Sequence, residues 1–305
     1  MRTKRYLPGK LLMLLMATAL LGSCAKETMD GGEPLPEGKY PVEFTTQMYD
    51  MEVTRATTDN KWDGDGSEKV AVKVDTEVKQ YVADKDDNIT ADKGVTPFYW
   101  TKSNESKTVT AYYPFALASA SSITVKTDQD QAASYQASDA LYAAPATFAF
   151  ADATKQLTFH HLTAKVVANL KAGDGVTDAE VQGATVKFVS QSLTATFDNQ
   201  TGAVTAAQPG NSQITPNALS AASNFQKSVQ ALLVPCQMQG KQFIAVTIGS
   251  DTFYYTPANA TDGLLASGKV YTYEITVKRN DIEVTFTESS EWTNEGNEDI
   301  ASEKQ

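Results

Sequence analysis

The sequence predicts an all-β fold of two similar β-sandwiches. Its supply of Thr, Val, Tyr and Phe favours strands over helices. Apolar and polar residues alternate in short runs, most regularly where Tyr271, Tyr273 and Ile275 face one way and Thr272 and Glu274 the other. Turn residues separate these runs at the spacing of a sandwich, and 305 residues are enough for two domains.

The first 23 residues are predicted to be an export signal. A basic start precedes the apolar run Leu11 to Leu21, which falls short of the roughly 20 residues that span a bilayer. The run ends in Leu21-Gly22-Ser23-Cys24, which resembles the lipobox of bacterial lipoproteins, whose cysteine is lipidated and becomes the new N-terminus. Residues 1–23 are then removed and acyl chains on Cys24 hold the protein to a membrane. The alternative is a plain secretory signal with a coincidental cysteine.

Residues 24–39 are predicted to be a flexible tether. They contain two adjacent glycines and two prolines and have almost nothing to bury. Lys26-Glu27, just after the cysteine, loosely resembles the acidic signal that sends Bacteroidetes lipoproteins to the outer face of the outer membrane. We therefore expect a surface-facing lipoprotein.

A short alternating strand follows the tether, with Val42 and Phe44 on its inner face. The chain then passes a turn-prone patch and reaches Thr54-Arg55-Ala56, where the arginine offers a single basic cut point. One interpretation is that Arg55 lies in an ordinary exposed loop. The other is that residues 40–55 are a temporary first strand, removed by a trypsin-like protease so that a neighbouring subunit can replace it.

The charge and the cysteines exclude some partners. The formal net charge is −11, so the chain has too few Lys and Arg to neutralise a phosphate backbone, and nucleic acid is not an expected partner. Its two cysteines are Cys24 and Cys236. If lipid consumes Cys24, no intrachain disulfide can form, and the apolar setting of Cys236 predicts a small buried side chain.

Further strands are predicted from Val70 to the tail, with turn residues between them. The alternating or apolar runs are 97–101, 108–113, 123–126, 148–150, 157–161, 162–170, 185–189, 193–198, 229–234, 243–248, 252–255 and 271–278. Residues 208–225 are predicted to be a long connection with a helical turn at Asn217 to Ser223. The boundary between a first domain of residues 40–160 and a second of 161–293 is expected near Leu157 to Thr163, with a disordered acidic tail at 294–305.

The sequence predicts no enzyme, no cofactor and no metal site. Asp63, Asp65 and Ser67 imitate the start of a calcium loop, but Glu68 and Val74 stand where that loop needs glycine and glutamate. The two histidines, His160 and His161, are adjacent and point to opposite faces of a strand, so both cannot bind one metal. We expect one of them to pack or to form a hydrogen bond. No nucleophile elbow, phosphate loop or dinucleotide motif occurs.

Aromatic side chains offer an alternative function. Eight of them could form a platform on which a sugar stacks, although strand cores are expected to absorb most. They are Phe98, Tyr99, Trp100, Tyr112, Tyr113, Phe115, Tyr254 and Tyr255. In this hypothesis the protein is a permanently anchored surface lipoprotein that binds glycan.

The order and spacing of several short motifs resemble those of the fimbrillin family, the Mfa-like and FimA-like pilus subunits and accessory proteins of Bacteroidetes. The likeness covers nearly the whole chain after the signal. The motifs are Thr54-Arg55-Ala56; Trp62 with Gly64-Asp65-Gly66; 111–115 (AYYPF); 138–143 (SDALYA); 157–166 (LTFHHLTAKV); 232–235 (LLVP); 268–275 (GKVYTYEI); and Trp292.

This resemblance implies two tandem transthyretin-like β-sandwiches, export as a lipoprotein, and removal of the first strand after the basic residue that matches Arg55. It also implies assembly with other fimbrial subunits, copies or different proteins, by donor-strand exchange in an adhesive fimbria. An incoming strand would take the place of Val42 and Phe44. The donor in stalk subunits is a C-terminal segment, for which Ile282, Val284 and Phe286 are the candidates here. The tail after Trp292 lacks an alternating apolar face, so a tip or accessory role, accepting a strand without giving one, stays open beside a stalk role. A host or bacterial surface glycan or protein is the expected receptor.

Overall fold

The computed structural model describes residues 32–48 and 62–289, and this part of the chain is built from strands. The strands are β1 Phe44–Met48, β2 Lys69–Val74, β3 Glu77–Ala83, β4 Asn88–Ala91, β5 Ser106–Tyr113, β6 Ser122–Thr124, β7 Leu141–Ala149, β8 Gln156–His161, β9 Ala164–Ala172, β10 Thr185–Gln191, β11 Thr194–Phe197, β12 Val204–Thr205, β13 Ser212–Ile214, β14 Asn217–Leu219, β15 Lys227–Leu233, β16 Cys236–Gln237, β17 Ile244–Ile248, β18 Asp251–Tyr255, β19 Leu264–Leu265, β20 Val270–Lys278 and β21 Asp281–Ser289. The helices are α1 Ala132–Gln136, α2 Asp178–Gln182, α3 Ala260–Gly263 and a 3₁₀ helix at Phe115–Ser119. The prediction of an all-β fold is confirmed.

Seven strands of the N-terminal half form one closed ring, in the order β1, β4, β3, β2, β5, β7, β8. Neighbours are antiparallel, except that β1 runs parallel to β8. The alternation in sequence predicts a sandwich of sheets here, whereas the hydrogen bonds close a single sheet on itself. The alternation of apolar and polar residues cannot distinguish a sandwich from a closed sheet, because both arrangements bury one face of each strand.

The interior of the ring holds the first core. Inward positions of the strands alternate with exposed ones, as in β1, where Phe44 and Met48 are buried and Gln47 is exposed. Large aromatic side chains fill much of this interior. They include Phe44, Trp62, Tyr81, Phe98, Trp100, Tyr113 and Phe159.

The C-terminal half contributes the other sheets. The largest has the order β14, β15, β9, β20, β21, and it faces a sheet of order β13, β10, β17, β18 across the second core. Strand β9 is the centre of the larger sheet: it pairs antiparallel with β15 and parallel with β20. Residues 164–170 are buried without interruption, because the outer face of β9 is covered too, where Val167 packs with Tyr135.

The two cores share a wall made by β2, β5 and β7. Ala111 points into the ring, while its neighbour Tyr112 joins the second core, and Tyr142 does the same on β7. Both phenols donate to carbonyls of the turn between β11 and β12, Tyr112 to Asn199 at 2.8 Å and Tyr142 to Gln200 at 3.2 Å. The segment between β5 and β7 also belongs to this side, since β6 pairs with β11. The division of the chain between residues 160 and 161 stays a prediction.

Two local predictions differ from the structure. Residues 217–219 form a strand, β14, that pairs with β15, so the predicted helical turn at Asn217 to Ser223 is wrong. An available sheet edge outweighed the weak helical preference of that stretch. Residues 97–101 do not form a strand of the ring; Tyr99 makes an isolated bridge with Pro41. This places them against the segment that precedes β1.

Candidate functional site

The candidate site is formed by residues 32–48, which we call the leading segment, and by the residues that they contact. The first part of the leading segment runs beside residues 98–103, where the backbone N–H of Leu35 donates to Thr101 at 2.8 Å and that of Val42 donates to Phe98 at 2.7 Å. Its second part is β1. The leading segment is therefore attached in two places, to residues 98–103 and to the ring.

Strand β1 is the closing strand of the ring. It pairs with β4 at Phe44 and Thr45 only, and with β8 from Thr45 to Met48. If β1 left, the edges of β4 and β8 would lose their backbone partners. The ring would then be an open sheet with a gap one strand wide.

The inner face of β1 is buried, and so is Val42, two residues before the strand begins. Val42 is 0% exposed, Phe44 2% and Met48 4%. The Phe44 ring lies between Tyr81 and Phe148, with ring centroids 6.2 and 5.9 Å away. Burying apolar side chains of this size is worth about 1.5–3 kcal/mol each. We call the apolar space that these three side chains fill the β1 groove. Val42 and Phe44 both point inward, and the regular strand begins only at Phe44.

Buried hydrogen bonds fix the register of this segment. The Trp62 indole Nε1–H donates to Thr46 Oγ1 at 2.9 Å, and the Thr46 backbone N–H donates to the Asp87 carbonyl at 2.8 Å. The Tyr81 hydroxyl donates to the Val42 carbonyl at 3.2 Å. Burial raises the pKa of Tyr81 to about 12, which keeps this donor protonated at neutral pH.

A polar cleft of about 540 Å³ opens beside the start of β1. Glu43 and Thr45 of the leading segment line it together with Asn88 of β4, Trp100 and Lys155. Side chains of the leading segment, of β4 and of the loop before β8 thus meet at this end of β1.

The candidate donor residues lie in β21. Ile282, Val284 and Phe286 face the second core, and β21 pairs with β20 along its whole length. The Phe286 ring is 5.9 Å from Tyr271, stacked, and 5.2 Å from Tyr273. Strand β21 thus occupies the edge of its own sheet and covers part of its own core.

A second polar group is buried where the two cores meet. His161 Nδ1 lies 2.9 Å from Asp139 Oδ1, and both side chains are almost inaccessible. Glu68 is fully buried nearby and accepts from the Gly64 N–H and from the Gln136 amide. This confirms that one histidine forms a hydrogen bond. Glu68 stands just before β2, Asp139 two residues before β7 and His161 at the end of β8, so the group lies where three strands of the ring begin or end.

Other sequence predictions have plain outcomes. Cys236 is buried, as expected, and burial raises the pKa of its thiol to about 11. Of the eight aromatic residues considered for a sugar platform, four are buried and Tyr254 is exposed. The buried ones are Phe98, Trp100, Tyr112 and Tyr113. Cys24, Arg55 and Ala56 lie outside the described residues.

Neither a metal cluster nor a membrane helix is found within residues 32–48 and 62–289. No group of three or more His, Cys, Asp or Glu side chains there could hold a metal ion. No helix in those two ranges is long and apolar enough to cross a bilayer.

The partners of β1 were not predicted from the sequence. Thr46 is a polar residue at an inward position of an otherwise apolar face. This is a weak sequence signal that Thr46 has a buried hydrogen-bond partner, which the structure shows to be Trp62. The buried carboxylates of Glu68 and Asp139 were missed as well, since both stand in turn-rich stretches that suggest exposure.

Comparisons with known proteins agree with this architecture. A family model of fimbrillin-like proteins matches residues 54–292. A protein from Bacteroides uniformis, assigned to cell adhesion, has a crystal structure with a TM-score of 0.63 and 19% identity, over 83% of this chain and 99% of that one. A similarly assigned protein from Bacteroides ovatus has a TM-score of 0.60 and 19% identity, over 81% and 96%. At such identities the likeness shows the fold. No curated protein matches the chain.

Proposed function

The chain belongs to the fimbrillin-like family, and from this membership we propose that it is a cell-surface fimbrial subunit assembled by exchange of its first strand. The fimbrial role itself follows from the family. In the proposal the chain is exported as a lipoprotein, with lipid on Cys24 anchoring it to the outer membrane, facing outward. A trypsin-like protease cuts between Arg55 and Ala56, and another fimbrial subunit supplies a strand in place of β1.

The position of β1 carries this proposal. It is the strand that closes the ring, and it ends at Met48, seven residues before Arg55. A cut after Arg55 would separate the whole leading segment from the rest of the ring without breaking any other strand that the structure describes. The remaining chain, from Ala56 on, keeps every other strand of the ring.

Loss of the leading segment creates the driving force for assembly. The β1 groove would be bared to water, at a cost of about 1.5–3 kcal/mol for each large apolar side chain withdrawn, and the edges of β4 and β8 would lack partners. An incoming strand restores the backbone bonds and fills the groove, which is β-augmentation. Such a joint dissociates slowly, because release exposes the groove again.

The experiment that tests the proposal compares variants of Arg55 in cells that make the fimbria. Arg55→Ala should fold and reach the surface as monomer but not polymerise, because the leading segment stays attached. Arg55→Lys keeps a basic cut point and should polymerise. Lys39→Ala, at an exposed residue of the leading segment, is the control for loss of a positive charge.

The readout is the N-terminus of sheared surface material. Mature subunits are expected to begin at Ala56. Polymers formed by Arg55→Ala, or surface material that retains lipidated Cys24 throughout with no polymer, would contradict the proposal. Labelling with a palmitate analogue, lost in Cys24→Ala, tests the lipid separately.

One observation favours glycan binding as a second function. Tyr254, on β18, is 46% exposed, and an exposed aromatic face can stack on a sugar. The permanently anchored lipoprotein of this alternative would lose glycan affinity in Tyr254→Ala. A glycan array without a signal for the wild-type protein would contradict it.

A further inference from the structure

Resting on the proposed function, we infer that the β1 groove selects its incoming strand through one buried hydrogen bond. The strand it accepts carries serine or threonine two positions after an aromatic residue, as Thr46 follows Phe44. The donor is a strand of a different fimbrial subunit, not β21 of a second copy of this chain.

Trp62 is the selecting residue. Its indole is 2% exposed and is held by Tyr113 and Phe159, with ring centroids 5.4 and 5.9 Å away. All three residues follow Arg55 in the sequence, so they stay with the subunit after a cut. The indole has one donor, the Nε1–H, and its acceptor is Thr46 Oγ1 of the segment that leaves. Every replacement strand therefore has to supply an acceptor at this place.

A hydroxyl is the group that fits. Thr46 Oγ1 accepts from Trp62 and also lies 3.3 Å from the Asp87 carbonyl, to which it can donate. A valine at this position has the same shape and leaves the indole N–H without an acceptor in an apolar site, which is costly. A carboxylate would accept, but it would bring an unpaired charge into the groove.

Strand β21 does not meet this requirement. Its residues Ile282, Val284 and Phe286 have the spacing of Val42, Phe44 and Thr46, and in that register Phe286 falls at the place of Thr46. A shift by two residues puts Glu288 there. Neither register provides a hydroxyl.

The position of β21 in its own sheet is a second reason why it is not the incoming strand. Its full pairing with β20 and the packing of Phe286 on Tyr271 and Tyr273 would have to be given up before it could enter a neighbour. The groove therefore fits a strand from another protein better than it fits β21 of a copy.

The test uses the full chain with one cut, so that the leading segment stays in place until a peptide displaces it. A site-specific protease sequence inserted after Arg55 makes this cut whether or not a natural protease uses Arg55. If no natural protease cuts at Arg55, the proposed function fails, but this experiment still tests whether the β1 groove selects its incoming strand. Synthetic peptides of residues 40–54 compete for the groove, and native mass spectrometry measures the bound fraction.

The peptides differ at one residue. Thr46→Ser should bind like the wild-type peptide, and Thr46→Val at least about tenfold more weakly, because a buried donor loses its acceptor. Thr45→Val is the matched control. Among the residues that the structure describes, Thr45 Oγ1 has no hydrogen-bond partner, so this change should be neutral. A peptide of residues 280–289 should not compete.

Two outcomes would overturn the inference: a Thr46→Val peptide that binds as tightly as the Thr45→Val peptide, or strong competition by the β21 peptide. In a Trp62→Phe protein the preference for a hydroxyl should disappear. If the cut chain does not release its segment, the same variants are compared in the intact chain. Equal melting temperatures for Thr46→Val and Thr45→Val, with no movement of the Trp62 indole NMR signal, would then refute it.

Discussion

Replacing Phe44 by alanine measures how much of the first core depends on the leading segment. The side chain is 2% exposed and packs between the rings of Tyr81 and Phe148. Removing a buried phenylalanine ring costs about 3–5 kcal/mol, from lost transfer energy and from the cavity left behind. This is a large share of the roughly 5–15 kcal/mol that stabilises a typical protein.

Urea unfolding followed by tryptophan fluorescence is the appropriate assay. Trp62 and Trp100 both lie in the first core, so their emission reports on the ring. Phe44→Ala should lower the free energy of unfolding by about 3–5 kcal/mol. The control Gln47→Ala changes an exposed residue of the same strand and should stay within about 0.5 kcal/mol of wild type.

An equal unfolding midpoint for the two variants would refute the reasoning. It would mean that β1 is not part of the cooperative core, and the proposed exchange would lose its driving force. A Phe44→Ala chain cut after residue 55 is expected to release its leading segment faster than the wild type.

Two further predictions concern the wall between the cores and the buried phenols. Gly202→Ala should destabilise the protein more than Gly240→Ala does. Both glycines have positive φ, but of the two only Gly202 would place its new Cβ against a side chain, the Tyr142 ring. Equal melting temperatures for the two variants would contradict this. Burial raises the pKa of Tyr81 and Tyr112 to about 12, whereas an unfolded phenol titrates near about 10. The stability from these two groups is therefore fully present below about pH 10 and is lost as the pH rises towards about 12. Urea midpoints measured beside phenolate absorbance should fall over that range, and constant midpoints would contradict the expectation.

The strands could be predicted where their pattern is local. The apolar positions of β1, β9 and β20 all lie on buried faces, because side chains on a strand alternate between faces whatever the strand pairs with. The uninterrupted burial of β9 was not predicted in full. It depends on what covers the second face, which alternation cannot tell.

Only part of the candidate site was predicted from the sequence. Val42 and Phe44 were identified as an inner face, but the acceptor requirement of Trp62 was not. Thr46 and Trp62 are 16 residues apart, and residues 49–61 between them carry no pattern that predicts their meeting. The contact of His161 with Asp139 spans 22 residues and was missed for the same reason.

By itself the sequence determined the fold class, the face of each regular strand, the resemblance of residues 21–24 to a lipobox, and the basic residue after the first strand. These are properties of neighbours along the chain, set by side-chain alternation and by short motifs. Only the tertiary structure decided that β1 closes a ring, that its threonine meets a tryptophan, and that β21 is committed to its own core. Such pairings depend on which strand edges meet in space, and the energy that selects them comes from burial shared by residues distant in sequence.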